Sequence, residues 1–220
     1  MSIIDRILNL IAPHDCIGCG HEGSLLCSTC AEALPGPQPE CYFCRQPTSA
    51  STTCRDCYAR AYLVQVIVGT LYAGTAQRLV QRLKYGGAQA AALTIVAALP
   101  PITVLGLVVI PVPTASSRVR RRGYDQAALL AKTFARKHNL EYLPCLRRVG
   151  QSHQVGASRS ERLLQLAQAF RVVHAQRLQG KRVLLIDDVI TTGATFEAAA
   201  RVLHAAGAVQ VSALAFARGL

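Results

Sequence analysis

Two adjacent carboxylates, followed within a few residues by a run of hydroxyls and a glycine, suit a ligand that carries both hydroxyl and phosphate groups. The stretch runs from Val183 through Leu184, Leu185, Ile186, Asp187, Asp188, Val189 and Ile190 to Thr191-Thr192-Gly193-Ala194-Thr195. Carboxylates accept hydrogen bonds from hydroxyls, whereas backbone N–H groups and threonine hydroxyls donate to phosphate oxygens. Gly193 allows close backbone approach and positive φ. A helix from Phe196 to about Ala206 would offer the free N–H groups and dipole of its N-terminus to the same phosphate. The apolar run Val183 to Ile186 predicts a strand buried on both faces of a parallel sheet. The acids then fall where that strand leaves the sheet, at the end where open α/β sheets take their ligands. Two buried charges there need a partner. A buried strand running into a capped helix would explain the threonines but not the paired acids.

The second concentration of chemistry is a set of eight cysteines in four C-x-x-C pairs: Cys16/Cys19, Cys27/Cys30, Cys41/Cys44 and Cys54/Cys57. A C-x-x-C turn presents two thiolates to one ion, and two such turns complete the four-sulfur set that structural zinc prefers. Two structural zinc sites are therefore expected, paired in sequence or interleaved. The segment has few large apolar residues, so metal binding would replace the core it lacks. Four-thiolate sites leave no open position for catalysis, and no thioredoxin-like pattern surrounds the pairs. Each such site carries net negative charge, which makes this module a poor nucleic-acid surface and suits it to docking on the basic residues 61–220 of the same chain.

Charge divides the chain in the same place. Its net charge is +12, but residues 1–60 sum to −2 and residues 61–220 to +14. We place a boundary near residue 60: an N-terminal helix over Ser2 to Ile11 with the double zinc ribbon in 1–60, and an α/β domain in 61–220. Strand patterns at Val66 to Tyr72, Val104 to Ile110, Val183 to Ile186 and Ala208 to Phe216 alternate with helical ones. These are Gly74 to Tyr85, Gln89 to Leu99, Gln126 to about His138, and the helix after Thr195. In the first of them Ala76, Leu79, Val80 and Leu83 face inward and Arg78, Arg82 and Lys84 outward. The order predicts a mostly parallel sheet with helices on both faces. Pro100-Pro101 splits the uncharged run from Tyr85 to Ser117, so neither half is long enough to span a membrane. No secretory signal pattern opens the chain, and a cytoplasmic protein is expected.

A stiff turn, Pro111-Val112-Pro113-Thr114-Ala115, follows the second strand and leads into Arg118, Arg120, Arg121 and Arg122. Guanidinium forks match phosphate oxygens, so this corner can neutralise several phosphate charges.

The strand, Asp-Asp and Thr-Thr-Gly-x-Thr combination resembles the signature of type I phosphoribosyltransferases, which bind 5-phosphoribosyl-1-pyrophosphate (PRPP). With the four C-x-x-C pairs, Leu-Lys-Tyr-Gly-Gly at 83–87, Pro-Val-Pro at 111–113 and Arg-Gly-Tyr-Asp-Gln at 122–126, the resemblance narrows to the ComF family of competence-associated proteins. Gln154, Arg159, Arg162 and Ala-Phe at 169–170 add to it. The likeness implies a type I phosphoribosyltransferase fold behind a zinc ribbon. It implies that Asp187 and Asp188 are the catalytic pair holding the ribose hydroxyls, and that Thr191, Thr192, Gly193, Ala194 and Thr195 wrap the 5′-phosphate. Pro113, Thr114, Arg121 and Arg122 would receive the pyrophosphate, with Mg²⁺ accompanying PRPP. The segment from Arg147 to Phe170 would form a lid, with Gln151 and Gln165 departing from the pattern. Two functions follow: a PRPP-binding protein of DNA uptake or DNA utilisation, with single-stranded DNA and DNA-uptake proteins as partners, or an active phosphoribosyltransferase of nucleotide metabolism with an unknown acceptor.

Overall fold

In a computed structural model, residues 14–100, 106–149 and 169–219 are described. The expected helix at Ser2 to Ile11 and the lid residues Gln151 to Gln165 lie outside them. Five parallel strands form the sheet: β1 (Gln65–Leu71), β2 (Leu107–Pro111), β3 (Glu141–Tyr142), β6 (Arg182–Ile190) and β7 (Gln210–Arg218), in the order β1-β7-β6-β2-β3. A small antiparallel pair, β4 (Leu146–Arg148) with β5 (Phe170–Val172), stands apart.

The helices cover both faces, as parallel strands require. On one face α3 (Gly74–Tyr85), α4 (Ala88–Ala98) and α6 (Gln126–Lys137) pack on Val109, Leu184, Ile186, Leu214 and Phe216. On the other, α7 (Ala194–Ala205) packs on Val183, Leu185, Val211 and Ala213 together with Leu146 and Phe170 of the small pair. In α3 the residues at helical spacing, Ala76, Leu79, Val80 and Leu83, are all buried, as their spacing predicts. Burying one such leucine contributes about 1.5–3 kcal/mol. Among the described residues no helix is long and apolar enough to cross a membrane.

The expected start of the second strand at Val104 lies outside the described residues, within which the strand runs from Leu107 to Pro111. The last strand begins at Gln210 and is buried from Val211 to Arg218, because β1 and β6 flank it and helices cover both its faces. The strand ahead of the acids runs on to Ile190. Its pairing with β2 stops at Pro111↔Ile186, but β7 continues alongside it to Val189↔Ala217 and Ile190↔Arg218. Asp187 and Asp188 therefore leave one neighbouring strand while still held by the other.

Among its described residues the cysteine module has short helical turns, α1 (Ser28–Glu32), α2 (Arg55–Tyr58) and a 3-10 turn at Ser49–Ser51. Its apolar residues join the main core. Leu25 and Leu26 pack in the cluster under α3 and α4, and Tyr42, 3% exposed, packs in the one under α7.

Candidate functional site

The paired acids have the partner that burial demands. Asp188 is 5% exposed, and Lys84, at the C-terminal end of α3, places its Nζ 2.6 Å from Asp188 Oδ2. This corrects the outward placement of Lys84: its side chain is 19% exposed and turns inward, while Arg78 and Arg82 on the same helix stay exposed. Asp187 accepts the Asp188 backbone N–H at 2.8 Å. Burial and the neighbouring Asp188 charge push the Asp187 carboxyl well above the usual carboxylate range, against the pull of that N–H and of Lys84.

Among the described residues, the loop that follows leaves most of its backbone donors free. Gly193 sits at φ 80° as the residue before α7. Among the described residues, no acceptor meets the backbone N–H groups of Thr192, Gly193, Thr195 or Phe196, whereas Ala194 N–H turns to the Thr192 hydroxyl at 3.4 Å. A cluster of unpaired N–H groups at the start of a twelve-residue helix is a ready set of donors for an anion.

After β2, α5 (Ser116–Arg122) follows Pro113 and Thr114. Pro113 has no N–H and contributes only shape. Thr114 is already engaged: its N–H and hydroxyl donate to Asp125 at 3.0 and 2.9 Å. The same carboxylate accepts from the N–H groups of Ala127 and Ala128, capping α6. A phosphate reaching Thr114 has to compete with this cap. Arg122 donates to Gln126 at 2.7 Å and lies 5.3 Å from the Tyr85 ring centre, and among the described residues its buried Nε has no partner. Arg118, Arg120 and Arg121 are exposed. The hydrogen bond from Arg122, then the charges of Arg122, Arg121 and Lys84, lower the Tyr85 phenol, which locates all three cations in one corner.

Two residues that sequence reasoning missed extend this corner. Tyr124 donates its hydroxyl to the Leu83 carbonyl and so pins the end of α3, and thereby Lys84, to the arginine helix. Arg148 stacks 5.4 Å from the Phe170 ring centre. Burial and the Arg118 charge hold its guanidinium below the usual range, while Asp187 pulls it up, so these three charges share one electrostatic neighbourhood. No local pattern singles out Arg148. Tyr124, by contrast, sits inside the Arg-Gly-Tyr-Asp-Gln motif.

The eight cysteines form two groups in sequential pairing, Cys16/Cys19/Cys27/Cys30 and Cys41/Cys44/Cys54/Cys57, each with its sulfurs within 4.8 Å of one another. These are four-sulfur sets compatible with zinc. The Cys27 N–H lowers the Cys16 thiol to about 6. Burial alone would raise Cys41, but the N–H groups of Cys54, Cys44 and Phe43 outweigh it and bring that thiol to about 7. Neighbouring sulfurs and burial push Cys30 and Cys57 up to about 12. Cys145 stands apart, fully buried and raised to about 11 by burial, and is inert by that measure. Gly18 fits the first group tightly: a Cβ there would lie 2.5 Å from Cys30 Sγ. Gly18→Ala is expected to displace Cys30 and lower bound zinc from about two to about one per chain; metal analysis of the purified variant checks this, and an unchanged zinc content would remove the argument.

Residues 119–219 match the phosphoribosyl transferase domain family. Competence protein F of Haemophilus influenzae is 35% identical over a stretch covering 50% of this chain and 49% of that protein. Competence protein ComFC of Bacillus subtilis is 33% identical over 44% of this chain and 38% of that protein. The chain thus spans about half or less of these two relatives. DNA utilization protein YhgH of Escherichia coli O6:H1 is 28% identical over 91% of this chain and 92% of that protein. The parallel sheet, the loop after β6 and the double four-cysteine module define a phosphoribosyltransferase-fold protein joined to a cysteine ribbon. Together with these relatives, they fit the ComF family.

Proposed function

We propose that this chain is a PRPP-binding protein of the ComF type that works in DNA uptake or DNA utilisation. The observation that carries the ligand is the loop at Thr191 to Thr195, whose unspent N–H groups stand directly after an acid pair. In this reading Asp187 and Asp188 accept from the ribose hydroxyls, the loop binds the 5′-phosphate, and the basic corner of Arg121 and Arg122 faces the pyrophosphate. The unpartnered Arg122 Nε supports the last assignment. Mg²⁺ would arrive on the diphosphate, since it binds substrate phosphates more often than a protein cage. When bound it would neutralise the leaving group, and the arginines would add to that stabilisation.

The names of the relatives support the DNA role, and so does the +14 charge of residues 61–220. Calorimetric titration of zinc-quantified protein with PRPP and Mg²⁺, and separately with a single-stranded oligonucleotide, tests both parts. Heat with PRPP is expected, and its absence overturns the ligand assignment. Oligonucleotide binding should weaken steeply with salt, and Arg120→Ala/Arg121→Ala should reduce the log–log salt slope by about 1.4, at about 0.7 per lost phosphate contact. PRPP binding with no oligonucleotide binding would instead favour a phosphoribosyltransferase of nucleotide metabolism.

A further inference from the structure

The loop after β6 is gripped from outside the α/β domain, by the turn of the second cysteine group. That turn, Cys41 to Cys44, is closed by the Arg45 N–H donating to Cys41 O at 2.8 Å, with Arg45 in the left-handed region at φ 68°. The residues next to the two sulfurs then reach across. Tyr42 lays its ring against Gly193 so closely that a Cβ there would lie 3.1 Å from Tyr42 Cδ2. The Tyr42 hydroxyl donates to Glu197, in the first turn of α7. Arg45 Nη2 donates to the carbonyl of Thr191 at 2.9 Å, while its Nη1 pairs with Glu40 at 2.6 Å. Glu40 also pairs with Arg218, at the end of β7. Packing between the two parts is not continuous: a cavity of about 690 Å³ opens beside the turn, bounded by Gly36, Glu40, Arg45, Thr192 and Arg218. Among the described residues, the ribbon's hydrogen bonds to the loop and to the first turn of α7 are made by Tyr42 and Arg45.

We infer that Tyr42 and Arg45 are positioning residues for the phosphate loop, and that metal in the second four-cysteine group thereby sets the loop's affinity for a phosphoribosyl ligand. The inference rests on the proposed reading of the loop. Four sulfurs drawn onto one ion fix the turn, the turn fixes the Tyr42 ring and the Arg45 guanidinium, and these hold Gly193 and the Thr191 carbonyl. The neighbouring N–H groups then face a phosphate without first having to be ordered, which raises affinity by removing an entropic cost. The first group lacks this connection. Among the described residues its hydrogen bond to the α/β domain, from Arg78 Nε to Ile17 O at 3.0 Å, goes to α3 and touches no residue of the loop. Coupling between two sites is reciprocal, so a ligand on the loop must tighten metal binding in the second group by the same factor.

Three measurements on the full, zinc-loaded chain test this with the variants Tyr42→Ala and Arg45→Ala. Without ligand, amide hydrogen exchange over residues 189–196 should quicken about tenfold in each variant while both zinc ions are retained, and PRPP affinity should fall by a similar factor. In the wild type, PRPP should slow zinc transfer to a chelator for one of the two ions only. Damage to the first group by Gly18→Ala should leave exchange over residues 189–196 unchanged. If Tyr42→Ala loses zinc by misfolding, Arg45→Ala still decides the matter, since its side chain is 44% exposed and carries no core packing. Exchange and affinity both within about twofold of wild type would overturn the clamp, because coupling of the usual size exceeds that. If the wild type binds no PRPP, the proposed ligand fails, yet the exchange comparison still tests whether the ribbon orders the loop.

Discussion

Asp187→Asn is expected to weaken PRPP binding at least about tenfold, the usual worth of one charge-assisted hydrogen bond, while raising the melting temperature of the ligand-free protein at neutral pH. Burial and the adjacent Asp188 charge hold the Asp187 carboxyl well above its unfolded value. The unfolded chain therefore gives up this proton first, at about pH 3.9. Ionisation favours the unfolded state from that point upward, so the stability Asp187 allows is full below about pH 3.9 and declines as pH rises toward the raised folded value. An asparagine has no such decline, and its amide oxygen can still accept the Asp188 N–H. The gain in melting temperature should thus be near zero in acid and grow toward neutrality, at about 2–4 °C per kcal/mol for a chain of this size.

Asp188→Asn should lose the ligand too, but with the opposite effect on stability. It strips the anion from a Lys84 side chain that is 19% exposed, and breaking a buried pair costs about 3–5 kcal/mol. Lys84→Met combined with Asp188→Asn should recover most of that loss, since removing both charges leaves neither one buried and uncompensated. Scanning calorimetry across pH, paired with ligand titration, separates the two acids. An Asp187→Asn protein that binds PRPP as the wild type does would end the assignment of that carboxylate to the ribose. One that melts lower at every pH would end the account of its burial.

The sequence made some of this visible and hid the rest for definable reasons. The helix Gly74 to Tyr85 was legible because its core residues recur at helical spacing, a pattern carried by the element itself. The same pattern misplaced Lys84, since a helical wheel knows only which face a residue leaves from. Lys84 lies beside the core face and bends its flexible stem toward a carboxylate 104 positions away. Thr114 was expected to receive the pyrophosphate, yet Asp125, eleven positions on, takes both its donors. Glu197 drew no notice, although it is the single acidic residue in α7 and anchors Tyr42 and the Tyr62 N–H. Its partners lie 155 and 135 positions earlier, beyond any local periodicity. The cysteine groups were the reverse case: C-x-x-C spacing states each half-site, and only the choice between sequential and interleaved pairing had to wait for the fold.

Removing the metal should have consequences well beyond the ribbon, and these define the largest effect we expect. Each group contains one thiol already lowered toward neutrality, Cys16 at about 6 and Cys41 at about 7, and one pushed to about 12, Cys30 and Cys57. Without a cation, four sulfurs so close together cannot all ionise, and the polar turns around them have little else to hold them. Zinc in such sites contributes about 10–16 kcal/mol of apparent binding free energy, which in a metal-built module is folding free energy. Leu25, Leu26 and Tyr42 are buried against the α/β core, so an unfolded ribbon uncovers both helix-covered faces of the sheet as well as the loop at Gly193. Chelation is therefore expected to lower the melting temperature of the whole chain by well over about 10 °C, to promote aggregation, and to abolish PRPP binding, with readdition of zinc restoring all three. A chelated protein that melts within about 2 °C of the loaded one would show that its cysteine turns hold their shape without metal, and that the ribbon's grip on the loop has another source.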